Sequence, residues 1–191
     1  MDNNLKEFLS QYVTLPNNEL EYIASKFKSK IIKKNTYLLK QGSICKDLVV
    51  VQKGCLRLYY LKNDIEISVW FAFPQFSAIE MCSFISGQPS GYFIQAIEDS
   101  EILFLSKTEL NKLYQQQPKM QEMMRNFWED VIINLLKRFT ALQTDSAEKR
   151  YLEILSQPSY LKTIPQKYLA SFIGVTPTSL SRIRRQITKT H

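Results

Sequence analysis

The sequence predicts an α+β protein in which an antiparallel β-roll is followed by one long helix and a C-terminal helix-turn-helix. Three observations carry that expectation. From about Lys30 to Lys107 the chain is built of short β-rich runs broken by turn residues, and residues 118–143 hold a wide apolar band at helical spacing. Residues 166–186, QKYLASFIGVTPTSLSRIRRQ, have the pattern of two short helices joined by a tight turn.

Residues 4–27 read as helical, with Leu5, Phe8 and Leu9 on one face, and Leu20, Ile23, Ala24 and Phe27 on another after Pro16-Asn17-Asn18. The runs TYLLK, DLVVVQ, CLRLYYL, IEISVWF, YFIQAIE and EILFLS follow, with Gly42 and Gly54 at the tightest turns. Many short strands at close spacing indicate a small antiparallel barrel or sandwich, and not alternating βαβ units. In the long helix Met120, Met124, Phe127, Val131, Leu135 and Leu142 form one stripe, and Trp128, Ile132, Leu136 and Phe139 a second beside it. So wide a band needs cover on two sides. One side packs on the barrel and the other on the same helix of a second chain, or else the whole helix is internal to a monomer. Met124, Phe127, Trp128, Val131 and Leu135 are the expected dimer-helix residues. Thr144-Asp145-Ser146 breaks the pattern, and a helical unit from Ala147 leads through QPSY to the final motif. The expected division is a sensory domain over 1–117, a connecting and dimerisation helix over 118–143 and a helix-turn-helix domain over 144–191.

Composition excludes several classes. Of 191 residues 45% are hydrophobic, ample for a packed core, yet no run approaches the roughly 18 apolar residues of a membrane span. The start MDNNLKEFLS lacks the build of a signal peptide, so the expected location is the cytoplasm, without a membrane partner. Cys45, Cys55 and Cys82 are far apart with no CxxC, which argues for buried free thiols, not disulfides, zinc or an iron–sulfur cluster. The single histidine is His191, too little for a metal set, a haem ligand in the barrel or a Ser/His or Cys/His pair. An enzyme and a metal site are therefore not expected.

In the helix-turn-helix, Leu169 and Ile173 are i, i+4 on the first helix, Ala170 permits a close crossing, and Gly174 stands at the reversal, where a positive φ is needed. Thr176 caps the second helix and Pro177 suits its first turn. Leu180, Ile183 and Ile187 face inward, which turns Thr178, Ser181, Arg182, Arg185 and Lys189 outward. A helix that reads the major groove needs such a face, with short polar groups and an arginine at base edges and other cations at phosphates. The expected DNA-binding set is Thr176, Thr178, Ser179, Ser181, Arg182, Arg184, Arg185 and Lys189, with Lys167 on the first helix. Charge agrees: of the net +7, residues 148–191 carry +6, from eight basic and two acidic side chains, and residues 1–147 only +1.

A β-roll, a long helix and a C-terminal helix-turn-helix in this order resemble the catabolite activator and fumarate-nitrate regulator (Crp/Fnr) family of bacterial transcription factors. QGSICKDLVVVQKGCLRLYY looks like the family's early barrel turns, and LASFIGVTPTSLSRIRR is similar to endings in which Thr-Pro opens the recognition helix. The resemblance spans nearly the whole chain. It implies a cyclic-nucleotide-binding-like double-stranded β-helix sensing a small-molecule effector, a homodimer, and a two-fold symmetric duplex DNA operator. RNA polymerase stands as an open candidate for a further partner.

SAIEMCSFISGQPSGYFIQAIEDSEILFLS lies along the family's nucleotide cassette, giving Glu80, Met81, Ser90 and Gly91 as the pocket set. Glu80 matches the glutamate that meets the ribose. Ile79 replaces the preceding glycine, Ser90 the phosphate-pairing arginine, and Gly91 the hydroxyl residue after it. A buried phosphate without its bidentate arginine is costly, so a cyclic nucleotide is not the expected effector. Arg57 and Lys62 are expected on a solvated barrel surface. Pro177 and Thr178 replace the Arg-Glu that opens the best-known recognition helices, while Arg182 matches their second arginine, so a different operator is expected. With five residues after Gln186, no β-hairpin wing is expected. The alternative is a ligand-binding module that regulates a protein partner without reading DNA.

Overall fold

The computed structural model describes residues 3–190, with side chains from residue 4 to residue 187. Helices α1 (Asn3–Ser10) and α2 (Asn17–Ala24) precede the strands β1 (Lys28–Ile32), β2 (Tyr37–Leu39), β3 (Asp47–Lys53), β4 (Leu56–Lys62) and β5 (Ile65–Ala72). Helix α3 (Met81–Ser86) interrupts the strands before β6 (Phe93–Ala96) and β7 (Ser100–Ser106). The helices α4 (Lys107–Gln116), α5 (Pro118–Thr144), α6 (Ala147–Leu155), α7 (Pro158–Thr163), α8 (Gln166–Phe172) and α9 (Pro177–Thr190) complete the order.

The strands form two antiparallel sheets, β1-β7-β3 and β2-β6-β4-β5, whose inward side chains share one core. Every described run that the sequence marks as a strand is one. β1 carries no such mark, because four of its five residues are exposed and it is held by its pairing with β7. In β3 the run Leu48–Val51 is buried on both faces, since α1 covers the side turned away from the roll. Gly54 makes the turn from β3 to β4 at φ +86°, and a Cβ there would lie 2.4 Å from Ser100 Oγ and 2.6 Å from the Asp99 carbonyl. Only glycine fits that turn.

α5 divides into two halves. Met120, Met123, Met124 and Phe127 are buried in the barrel core, where Phe127 meets the rings of Phe8 and Tyr12 at 5.8 and 5.4 Å. Beyond Val131 the helix leaves the barrel with Ile132, Ile133, Leu135, Leu136, Phe139 and Leu142 exposed. The C-terminal helices pack around Tyr151, Ile154, Ile164, Leu169, Ala170, Phe172, Ile173 and Leu180, and this second core continues onto the barrel through Cys55, Phe71, Phe73 and Ile97. The two parts therefore meet across an apolar seam in which Phe71 and Phe172 lie 5.2 Å apart.

Candidate nucleic-acid interface and sensory barrel

α8 and α9 form the helix-turn-helix with the inside and outside that the sequence indicates. Leu169, Ala170, Ile173 and Leu180 are buried, and Val175, Ile183 and Ile187 pack at the edge of that core. Gly174 turns the chain at φ +74°, where an added Cβ would press on Leu142 at 3.3 Å. Thr176 Oγ1 accepts the Ser179 N–H (3.1 Å) and lies 2.9 Å from Ser179 Oγ, closing the first turn of α9. Ser181 Oγ donates to the Pro177 carbonyl (3.0 Å) and accepts from Gln166 Nε2 (2.6 Å), which ties the start of α8 to α9.

Of the expected DNA-binding set, Thr178, Ser181, Arg182, Arg184 and Arg185 lie exposed along one side of α9. The side chains of Thr178, Arg182 and Arg185 have no hydrogen-bond or ion-pair partner among the described residues. Three members have other roles. The hydroxyls of Thr176 and Ser179 are engaged with each other in the cap, because that is where the first orphan N–H groups of α9 lie. Lys167 leans toward the barrel, its ammonium 3.9 Å from Glu66 and over the Tyr168 ring at 5.8 Å, since β5 runs beside α8. The Lys189 side chain and His191 lie outside the described residues. Gln166, which the apolar pattern does not flag, joins the site by holding Ser181.

In the barrel Glu80 and Ser90 are turned to internal use. Glu80, 4% exposed, caps α3, and its two carboxylate oxygens each accept one N–H, from Cys82 and Ser83, both at 3.0 Å. Ser83 Oγ in turn donates to the Gln88 carbonyl and accepts the Cys45 N–H. Ser90 is equally buried: its N–H donates to the Ser43 carbonyl, its carbonyl accepts from Gly42, and its Oγ accepts the Tyr92 N–H at 2.9 Å. Met81 is half-buried and Gly91 exposed. Ser90 thus stitches two loops and offers no charge at the place where a phosphate would need one.

Arg57 overturns its expected place on a solvated surface. It is 0% exposed, beneath α8, because the helix-turn-helix covers the outer face of β4 and β5. Lys62 is exposed as expected. Cys82 is exposed, contrary to the expectation of three buried thiols, because it stands on the outer side of the first turn of α3. Cys45 and Cys55 are buried, and burial pushes both thiols up, so neither is a thiolate at neutral pH.

The dimer-helix set is also redistributed. Met124 and Phe127 belong to the chain's own core, and Trp128 and Val131 pack at its margin; only Leu135 is exposed. The exposed apolar seam runs instead through Ile132, Leu135, Phe139 and Leu142, at alternating spacings of three and four, with Leu136 beside it. The reason is phase: the barrel takes the first of the two adjacent stripes over the N-terminal half of α5. A groove between α5, α6 and the barrel contains Trp70, Phe76, Arg138 and Arg150. Arg138 donates to the Phe172 carbonyl (2.6 Å), and Arg150 to the carbonyls of Ile173 (2.9 Å), Ala141 and Asp145, so both cap helix ends. Burial, with Arg150 close by, lowers the Arg138 guanidinium to about 10, which leaves it charged at neutral pH.

Among the described residues no helix is long and apolar enough to cross a membrane. Residues 29–117 match the cyclic nucleotide-binding domain family. No curated protein sequence matches the chain. Among solved structures it is similar to a CooA mutant from Carboxydothermus hydrogenoformans, with TM-score 0.72 and 19% identity over 100% of this chain and 86% of that one. It is also similar to FixK2 from Bradyrhizobium japonicum, with TM-score 0.74 and 14% identity over 86% and 85% of the two chains. A third likeness is a transcriptional regulator of the Crp/Fnr family from Eubacterium rectale, with TM-score 0.70 and 17% identity over 92% and 85%. Residues 29–117 thus match the cyclic nucleotide-binding domain family, and from barrel through long helix to C-terminal helices the chain shares the fold of these solved structures.

Proposed function

We propose that the protein is a cytoplasmic, homodimeric transcription regulator that binds duplex DNA sequence-specifically through α9. The observation that carries this reading is the outward row Thr178, Ser181, Arg182 and Arg185, unopposed by any acidic residue after Glu153. Arg182 is the base-reading residue, with its fork directed at guanine, while Arg184, Arg185 and Lys189 meet phosphates. A coiled-coil seam supports the dimer, because Ile132, Leu135, Phe139 and Leu142 keep the 3.5-residue period over the half of α5 that the barrel leaves uncovered.

The barrel responds to an effector other than a cyclic nucleotide, or to none. Glu80 and Ser90 support this, since both are consumed by backbone N–H groups and neither brings a positive charge. Selection of bound fragments from random duplex DNA tests the whole reading. An inverted repeat is the expected result. Recovery of unrelated sequences, or retention without the steep salt dependence of phosphate contacts, overturns it. Titration calorimetry with cyclic AMP and cyclic GMP is expected to show no saturable heat.

A further inference from the structure

α8 is seated on β5, the edge strand of its sheet, by an arrangement unlike the rest of the seam. The Arg57 guanidinium is sandwiched between two rings, its carbon 3.6 Å from the centre of Tyr168 on α8 and 4.2 Å from that of Tyr59 on its own strand. Nε donates to Ser68 Oγ (2.9 Å) and Nη1 to Glu66 (2.8 Å), while Nη2 is buried without a hydrogen-bond partner. Beside it Ser171 of α8 accepts the Ser68 N–H at 3.1 Å and lies 2.8 Å from Ser68 Oγ. The edge N–H of β5 is thereby closed by the DNA-binding domain and not by another strand.

Such a contact has one good register. The apolar pairs of the seam, such as Phe71 with Phe172, tolerate sliding because dispersion is nearly isotropic. A buried cation does not. Displacing Tyr168 removes one of its two aromatic faces and leaves a charge that is already one hydrogen bond short. Arg57 and Tyr168 therefore set where α8 sits. Since α8 and α9 share the Leu169, Ala170 and Leu180 core and the Gln166–Ser181 bond, α9 moves with α8.

In a two-fold dimer the distance between the recognition helices decides which half-site spacing on the duplex both can occupy. We propose that Arg57 and Tyr168 are positioning residues that fix the operator's half-site spacing from the barrel side, remote from any base. This rests on the dimeric DNA-binding reading above. Nothing on α9 itself changes when they are replaced, so base preference and spacing preference should separate.

The test uses the half-site recovered from random DNA, placed as inverted pairs whose spacer varies one base pair at a time, with binding measured in competition. The native protein is expected to prefer one spacing by about tenfold or more, a difference equal to roughly one modest contact. Tyr168→Ala is expected to keep the same half-site sequence but to flatten that preference to about threefold or less, as loss of a single stacked contact implies. Tyr168→Phe, which keeps the ring, should restore it. Where Tyr168→Ala fails to fold by circular dichroism, Arg57→Met fills the seam with an apolar chain and reads the same quantity. An unchanged spacing preference in folded Tyr168→Ala or Arg57→Met overturns the proposal, and so does a native protein indifferent to spacing. Absence of any selected half-site overturns the DNA-binding reading itself, and is thus told apart from failure of the spacing proposal alone.

Discussion

α3 and α9 both open on a side-chain oxygen that accepts backbone N–H groups, Glu80 in the barrel and Thr176 in the helix-turn-helix, yet their surroundings use polar chemistry in opposite ways. Around α3 the carboxylate of Glu80 and the hydroxyls of Ser83 and Ser90 are all bonded to backbone groups. Along α9 the cap is confined to Thr176 and Ser179, and the side chains of Thr178, Arg182 and Arg185 stand exposed without partners among the described residues. The difference teaches that residue type marks a candidate site, whereas the hydrogen-bonding capacity left over after folding decides whether a ligand can use it.

Replacing Glu80 with Ala breaks this contrast from the barrel side and has the largest expected effect. It strands the Cys82 and Ser83 N–H groups, the second of them buried, and should lower stability by about 2 kcal/mol in denaturant unfolding, while half-site preference stays unchanged. A loss of sequence preference without loss of stability would show that Glu80 serves a ligand. Arg182→Ala attacks the other side. It should cost about 1–3 kcal/mol on the preferred operator and leave the melting temperature where it was; an equal loss on all sequences would make Arg182 a phosphate contact. Phe139→Ala, at a position 59% exposed in the single chain, should weaken dimerisation by about tenfold in sedimentation or light scattering, the effect of one interface side chain, with little change in the fold of each subunit. The smallest effect is chemical. Cys82 should react with a thiol reagent in the native protein, and Cys45 and Cys55 only on unfolding, as mass spectrometry would show.

Much of the architecture was legible because it depends on local rules. Alternating β-rich runs, the wide apolar helix and the Gly174–Thr176–Pro177 punctuation all leave a mark within a few residues. What escaped was whatever depends on a distant neighbour. β1 is nearly all exposed and exists through β7. Arg57, on a strand of mixed polarity, reads as a surface cation until α8 is laid over it. The two stripes of α5 differ by about one residue in phase, so periodicity names both and ranks neither; the barrel's position gives Met124 and Phe127 to the core and leaves Ile132 and Phe139 outside.

By itself the sequence determined the kind of element at each place and the polarity of each face, since both follow from side-chain period, caps and turn residues acting over one or two turns of chain. Packing between distant segments settled which polar groups are consumed, which apolar stripe remains open and where α8 and α9 sit on the barrel. Those outcomes depend on burial, and burial belongs to pairs of surfaces whose residues, like Arg57 and Tyr168, are far apart in the chain.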